Sequence, residues 1–563
     1  MKKNRWLMVL ASTVIFVSLI LTACGPPQAD TSTSSDSAEA DGQAGKTEQV
    51  LRMPLMGEPP TLDPHNGSDM LSSAVINGIF EGLIRIENGA ITPGMAESWE
   101  VSDDGLTYTF HIRDDAKWWD GKDLTADDFV YGLIRLIDPN PPAPNGDYAF
   151  QGFYMENGEA FYNQEITDSS KVGVKALDSK TLQIKLVDPV PYFVGLMDFC
   201  GFYPCREDFI DEYGIEYASS VDKIMGNGPF VLKTWNHEQS VILEKNPNYW
   251  NKDNVKLDRV EMIVIADQNT AINMFENGEL DYANIPKDLI PQYKEAGKAE
   301  FFGDGVEFWM EFNLTNDKPV GKFLRNENFR HAMGYAIDRQ AYVDAVYKDG
   351  SQPAMRYVAP VLSIGDMTWG EKYDYAFYPP NADVEKAKQL LDKALDEIGA
   401  AKEDIPVIEF ITDDRPDRKL SAEAIQDMLD KTLGIKLDIK LVQTKQRYQL
   451  MKEMNYDIVW AGFGPDYDDP MTYLDRLMSD SGLNWTGFAS EEYDNLIRFA
   501  KTSLDRDKRA EAMFKAERIM TETGPLVPVY FRNTAWTRNP KLKSLERSGM
   551  RADPDYTNAY FEE

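Results

Sequence analysis

A chain of 563 residues is longer than one hydrophobic core can organise, so about two to four domains are expected. With 43% hydrophobic and 27% charged residues the composition is that of a folded, water-soluble protein, which excludes a largely disordered or fibrous chain. The 93 acidic against 59 basic residues leave a net charge of -34, which repels nucleic acid and anionic head groups and weakly favours cationic or amine-bearing ligands.

The chain opens with Lys2, Lys3 and Arg5, followed by an apolar run from Trp6 to Ala23. That is the pattern of a secretory signal, here residues 1–23. Leu21-Thr22-Ala23-Cys24 resembles the lipobox of bacterial lipoproteins, which implies a mature chain that begins at a lipidated Cys24 and is held on the membrane by that lipid. The plain alternative is an uncleaved transmembrane anchor, and either way the remainder lies outside the cytoplasm. Residues 24–46 are Ser, Thr, Ala, Asp, Gly and Gln with almost nothing to bury, so a disordered tether is expected. Gly45-Lys46-Thr47 is no phosphate loop, because Ala40 stands where the first glycine belongs and no strand precedes it.

The body begins with a strand over 50–56, a proline-stiffened segment from Gly57 to His65 and a helix over 72–80. Between 96 and 113 two strands flank an Asp103-Asp104-Gly105 hairpin signal, with Tyr108, Phe110 and Ile112 alternating onto one face. Thr125 caps a helix whose first turn carries Asp127 and Asp128. Strands at 182–187, 241–243 and 260–265 then alternate with helices at 270–277, 327–347, 384–399, 420–433 and 508–523. This order predicts α/β lobes with mixed sheets. In the helix from Val384, Ala387, Leu390, Leu391 and Leu395 recur at core spacing, so its charges form a solvated face.

Equipment for catalysis is not visible. His65, His111, His237 and His331 are scattered without metalloenzyme spacing, no Gly-x-Ser-x-Gly elbow occurs, and no cofactor or metal is expected. Asp466, Asp468 and Asp469 do not make a calcium loop, because the sixth-position glycine and twelfth-position glutamate are missing. Cys200 and Cys205, in Cys-Gly-Phe-Tyr-Pro-Cys, could close a disulfide outside the cytoplasm; geometry decides, and a zinc site would need further ligands nearby.

One stretch stands out. A strand over 456–461 runs into Trp460-Ala461-Gly462-Phe463-Gly464-Pro465-Asp466-Tyr467-Asp468-Asp469-Pro470, where glycine and proline stop pairing and deliver aromatics with three carboxylates. Excluding water strengthens the attraction of such a carboxylate for a cation, and its natural partner is an amine. The bland reading is a surface turn, since Asp and Pro make turns anywhere.

Residues 96–139 resemble the signature region of the family 5 extracellular solute-binding proteins, the peptide and nickel binders of ABC importers. The resemblance continues in Gly173-Val174-Lys175-Ala176-Leu177-Asp178, Pro189-Val190-Pro191-Tyr192-Phe193, Gly226-Asn227-Gly228-Pro229-Phe230, Asn246-Pro247-Asn248-Tyr249-Trp250 and Phe329-Arg330-His331-Ala332-Met333, and covers residues 50–563. It is strongest to the oligopeptide-binding members. It implies a two-lobed periplasmic-binding-protein clamp of type II, cluster C, with an additional domain: lobe I from 47–80, 206–305 and 525–563, the extra domain over 81–205, and lobe II over 306–524. The chain would cross between lobes near 303–306 and 524–525. It further implies a monomeric receptor without chemistry of its own, which hands oligopeptides to a membrane-embedded ABC permease and its ATPases.

By the same resemblance Asp466 grips the peptide's α-amino group, with Phe463 and Tyr467 beside it. Trp460 stands where a relative carries a cation, which puts a fixed clamp on short peptides in doubt. Trp309, Glu311 and Asn313 fall on an alternating segment resembling the strand that pairs with the ligand backbone, and Tyr148 could close over the first side chains. For each of these an ordinary core position is the alternative. Main-chain pairing would let one protein accept many sequences, since every peptide offers the same N–H and C=O groups. Competing readings are a receptor for a nickel chelate or an oligosaccharide, against which Asp466 argues because those ligands lack an α-amine, and a surface module that captures peptides without feeding transport.

Overall fold

The computed structural model describes residues 48–562 apart from 68, 88, 140–153, 548 and 550–552. The signal, Cys24 and tether, and Tyr148, therefore lie outside the described residues. Strand β1 (Val50–Leu55) leads to helix α1 (Met70–Ile79), whose first amides are capped by Asp69. Strands β2 (Ala96–Val101) and β3 (Thr107–Ile112) are joined by the expected hairpin, with Gly105 at a φ of +70° that a side chain would resist. Tyr108, Phe110 and Ile112 all point inward, as their alternation requires. Helix α2 (Ala126–Ile137) starts at Thr125, whose N–H and hydroxyl both donate to Asp128, at 2.8 and 3.0 Å. Strands β4 (Val174–Asp178) and β5 (Thr181–Lys185) complete an antiparallel sheet in the order β2-β3-β5-β4.

A second sheet takes β1 together with β6 (Phe230–Asn236), β7 (Ser240–Lys245) and β8 (Arg259–Val264), in the order β1-β8-β7-β6. Only β1 and β8 run parallel. Leu51 and Met53 from this sheet and Phe110 and Leu182 from the other join one continuous core. The region read as an extra domain thus shares its apolar interior with lobe I.

The remaining chain is organised around a larger sheet, one end of which joins the first core through Tyr282 and Trp536 while the rest builds the other lobe. In chain order its elements are β9 (Tyr282–Asn284), β10 (Glu300–Phe312), α3 (Glu327–Ala336), α4 (Arg339–Val346), α5 (Val384–Ile398), β11 (Ile408–Asp413), α6 (Pro416–Leu433), β12 (Leu437–Val442), β13 (Ile458–Phe463), α7 (Glu491–Thr502), α8 (Arg506–Thr523) and β14 (Leu526–Arg538). The strand order is β9-β14-β10-β13-β11-β12, with β11 parallel to both neighbours. Side-chain alternation along β10 feeds two cores. Phe308, Met310 and Phe312 pack with α3 to α6, and Trp309 packs with α7 and α8 on the opposite face.

At 13 residues each, β10 and β14 are about 43 Å long at ~3.3 Å per residue, enough to run from one lobe into the other. Their pairing slips between Gly303 and Glu307, where Gly305 takes a φ of +74° and Arg532 Nε donates to Asp304 at 2.7 Å. The residue facing this bulge on the return strand is Arg532, and Gly524 is the left-handed C-cap of α8. Strand β14 has no counterpart among the sequence-derived elements because Pro528 interrupts its pattern. That proline sits where the β10–β14 register shifts again, so its missing N–H costs no ladder bond. The helix expected over 327–347 is two helices, because Asp338 caps a fresh N-terminus by accepting from Ala341 N–H. The result is a two-lobed α/β clamp.

Candidate ligand-binding site

Strand β13 is covered on one edge by β10 over its whole length. On its other edge it meets β11 only at Ile458 and Val459, so Trp460 to Phe463 have no strand partner on that side among the described residues. A free strand edge is a place where an extended chain can add main-chain hydrogen bonds. The edge leads directly into the acidic loop.

The loop distinguishes its three carboxylates. Asp468 accepts from the N–H and hydroxyl of Ser363 at 2.7 and 2.6 Å. Asp469 takes both Nη groups of the buried Arg509 at 2.8 Å and also accepts from Met471 N–H. Asp466 is different. Its N–H donates to Thr472 Oγ1 at 3.0 Å, which fixes the backbone, but its carboxylate has no partner among the described residues. The residue is open to solvent, yet enough protein surrounds it to strip hydration, and the charge of Asp475 adds repulsion that Arg476 offsets only in part. Its pKa is pushed up to about 6. A carboxylate both accessible and poorly hydrated is poised for a cation that replaces the missing water.

Residues from both lobes meet here. Tyr192, from the first lobe, stacks on Tyr467 with centroids 4.8 Å apart and planes 6° from parallel, and the Tyr154 and Tyr192 hydroxyls are 3.2 Å apart. The Arg509 guanidinium lies 5.5 Å from the Tyr192 ring. Phe463 stands edge-on to Tyr473 and faces Arg476, and Asp475 pairs with Lys501 at 3.1 Å. The loop therefore sits at the seam between the lobes, scaffolded by ion pairs that leave Asp466 unengaged.

Other sequence-derived site residues lie elsewhere. Trp309, Glu311 and Asn313 are fully or almost fully buried, and β10 is paired on both edges, so it offers no edge to a ligand. Trp309 Nε1 donates to Glu311 at 3.0 Å, and the Asn313 amide holds the carbonyls of Met454 and Tyr456. The alternation read as ligand-facing is that of a central strand; the free edge belongs to its neighbour β13. Trp460 also turns inward, stacking near Phe308 and Tyr530 in the α3 to α6 core. Cys200 and Cys205 are free buried thiols: Cys200 donates to Gly67 O at 3.4 Å and Cys205 lies 3.8 Å from His65 Nδ1. Sequence reasoning missed Tyr192, Ser363, Asp475 and Arg509. Tyr192 lay within the quoted Pro-Val-Pro-Tyr-Phe segment, but its partner is 275 positions away, and no local pattern announces such a pair.

Among the described residues no group of three or more His, Cys, Asp or Glu could hold a metal, and no helix is long and apolar enough to cross a membrane. A two-lobed α/β clamp with an accessible carboxylate at its seam, unpaired among the described residues, fits the architecture of a solute-binding protein. The chain belongs to the bacterial extracellular solute-binding proteins, family 5, whose middle region matches residues 90–485.

Among its relatives, the dipeptide-binding protein DppE of Bacillus subtilis is 35% identical over 97% of each chain. The oligopeptide-binding protein OppA of the same organism is 34% identical over 99% of this chain and all of that one. Listeria monocytogenes OppA bound to peptide superposes with a TM-score of 0.70 at 31% identity, covering 92% of this chain and all of that one. The unliganded open form of MppA, a murein tripeptide-binding protein, reaches 0.78 at only 25% identity, over 92% and 98%. The relative more distant in sequence thus superposes the better of the two.

Proposed function

We propose that this protein is an extracytoplasmic receptor that binds oligopeptides between its lobes and delivers them to an ABC importer, with no catalytic step. The observation that carries this reading is Asp466. It is the one carboxylate of its loop without a partner among the described residues: Thr472 fixes its backbone, Ser363 hydrogen-bonds Asp468 and Arg509 neutralises Asp469. An α-ammonium group is its complement in charge and size. A peptide whose amine reaches Asp466 can lay its backbone along the free edge of β13, between Phe463 and the stacked Tyr192–Tyr467 pair. Such pairing is blind to side chains, which suits a receptor for many sequences.

Closure would bring contacts the open form lacks, and that differential interaction is what a permease could sense. The β10–β14 bulge at 303–307 is the natural hinge, because pairing is already interrupted there. We further propose that the signal is removed before Cys24 and that a lipid on this cysteine holds the receptor, as a monomer, at the cell membrane.

Native mass spectrometry of the purified protein tests the function. Peptides that stay bound under gentle desolvation and leave on denaturation support it. Retention of a metal chelate or a saccharide in their place would overturn it.

A further inference from the structure

Among the described residues, Glu307 is the one side chain with two buried polar atoms that make no hydrogen bond. The residue is wholly buried, and the two atoms are its carboxyl oxygens. Buried polar groups are almost always bonded, because burial strips their water and something must replace it. Glu307 is also the first residue of β10 to pair after the bulge at 303–307, with Phe463 of β13 on one side and Phe531 of β14 on the other. It thus links the interruption in the long strands to the strand whose edge runs into the acidic loop.

The charges packed around it are already committed. On α8, Glu517 accepts from Arg356 Nε and from Val358 N–H, each at 2.9 Å. Arg476 turns to Glu311, at 3.4 Å. Arg339, at the start of α4, donates to the carbonyls of Gly334, Ala354 and Pro528, each at 2.9 Å. Across the bulge Asp304 is held by Arg532 at 2.7 Å. Tyr357 and Tyr473 are the other titratable neighbours. Among the described residues no cation is therefore left to bond a carboxylate here. The neutral acid is the form that fits, in agreement with a pKa held well above the usual carboxylate range by burial first and the charge of Glu517 second.

Tyr473 connects this acid to both the bulge and the ligand edge. Its hydroxyl donates to Gly305 O, inside the bulge, and is shared with Phe463 O at 3.2 Å, where β13 ends. The same hydroxyl lies close enough to Glu307 to feel its charge. A neutral carboxyl leaves that tie in place. A carboxylate is a stronger acceptor than a carbonyl, so ionised Glu307 would compete for the hydroxyl. The water it needs would enter most easily at the bulge, where strand pairing is already broken.

We infer that Glu307 acts as a neutral acid that positions the ligand-binding edge: protonated, it leaves Tyr473 tying the bulge to the end of β13, and ionised, it loosens both. The inference rests on the reading that peptides bind along β13 with their amine at Asp466. Peptide capture then needs opposite proton states at two carboxyls, with Asp466 ionised and Glu307 neutral.

Calorimetric titration of trialanine into wild type and Glu307→Gln from pH 5 to pH 10 tests it. The peptide amine and Asp466 titrate in both proteins, so the ratio of wild-type to variant Kd isolates Glu307. That ratio should be constant below pH 6 and rise about tenfold or more by pH 10. In a Tyr473→Phe background the same ratio should stay within about twofold, since the tie is already gone. A ratio constant to pH 10, or one that rises equally in the Tyr473→Phe background, would overturn the inference. Should trialanine bind neither protein, the peptide reading fails while Glu307 is still tested without ligand. Amide hydrogen exchange at 303–307 and 461–464, corrected for its intrinsic rate, should quicken from pH 6 to pH 9 in wild type alone. Equal exchange in wild type and Glu307→Gln would overturn the role of Glu307 by itself.

Discussion

Replacing Asp466 by Asn keeps the shape of the side chain and removes its charge. In the closed clamp the peptide ammonium would then be buried against a neutral amide, and losing one partner of such a pair costs about 3–5 kcal/mol, or roughly 100-fold to a few thousand-fold in Kd. The pH dependence is more specific. With its pKa pushed up to about 6, Asp466 is about nine-tenths ionised at pH 7 and about one-tenth ionised at pH 5. A peptide amine stays protonated across that range, so binding to the ionised form should weaken about tenfold from pH 7 to pH 5, with most of the change on the acid side of pH 6. In Asp466→Asn the same titration should be nearly flat, although Asp468 and Asp475, also raised by burial, are still present. Isothermal titration calorimetry with trialanine at half-unit pH steps measures both. A wild-type Kd that does not change between pH 5 and 7, together with an Asn variant that binds as tightly, would refute the assignment.

Arg509→Ala leaves Asp469 buried without its two guanidinium bonds and should lower unfolding free energy by about 3–5 kcal/mol, read by urea denaturation. Glu307 is wholly buried with neither oxygen hydrogen-bonded, and desolvation, then the charge of Glu517, holds its pKa well above the usual carboxylate range. The folded state therefore binds a proton that the unfolded chain releases above pH ~4.5, and stability should fall as pH rises from there towards the folded pKa. Glu307→Gln should remove that slope, so its melting temperature should rise relative to wild type as pH increases from 5 to 8. Burial pushes both the Cys200 and Cys205 thiols up to about 12, so neither should react with a disulfide reagent at pH 8 in the native protein, and both should react after denaturation.

Local physics made much of the fold legible. The 107–112 alternation, the Thr125 cap and the Val384 helix are properties of a few adjacent residues, and each appears where its pattern places it. What local pattern could not supply was which strand edge is free. The segment 308–314 alternates as well as any ligand-facing strand, and only its pairing on both sides reveals a central position. Trp460 was misjudged for a related reason: it adjoins the acidic loop in sequence, but the pleat turns it to the opposite face. The loop's composition drew attention to three acids, yet the selection of Asp466 depends on Ser363 and Arg509, at 105 and 40 positions from their partners.

Calorimetric titration of one tripeptide beside its N-acetylated form, at pH 7, bears most directly on the role of Asp466. Acetylation removes the positive charge and leaves the remaining backbone and side chains untouched, so the blocked peptide should bind at least about 100-fold more weakly to the wild-type protein. Equal affinity for the two peptides would show that the carboxylate at position 466 is not what captures the ligand.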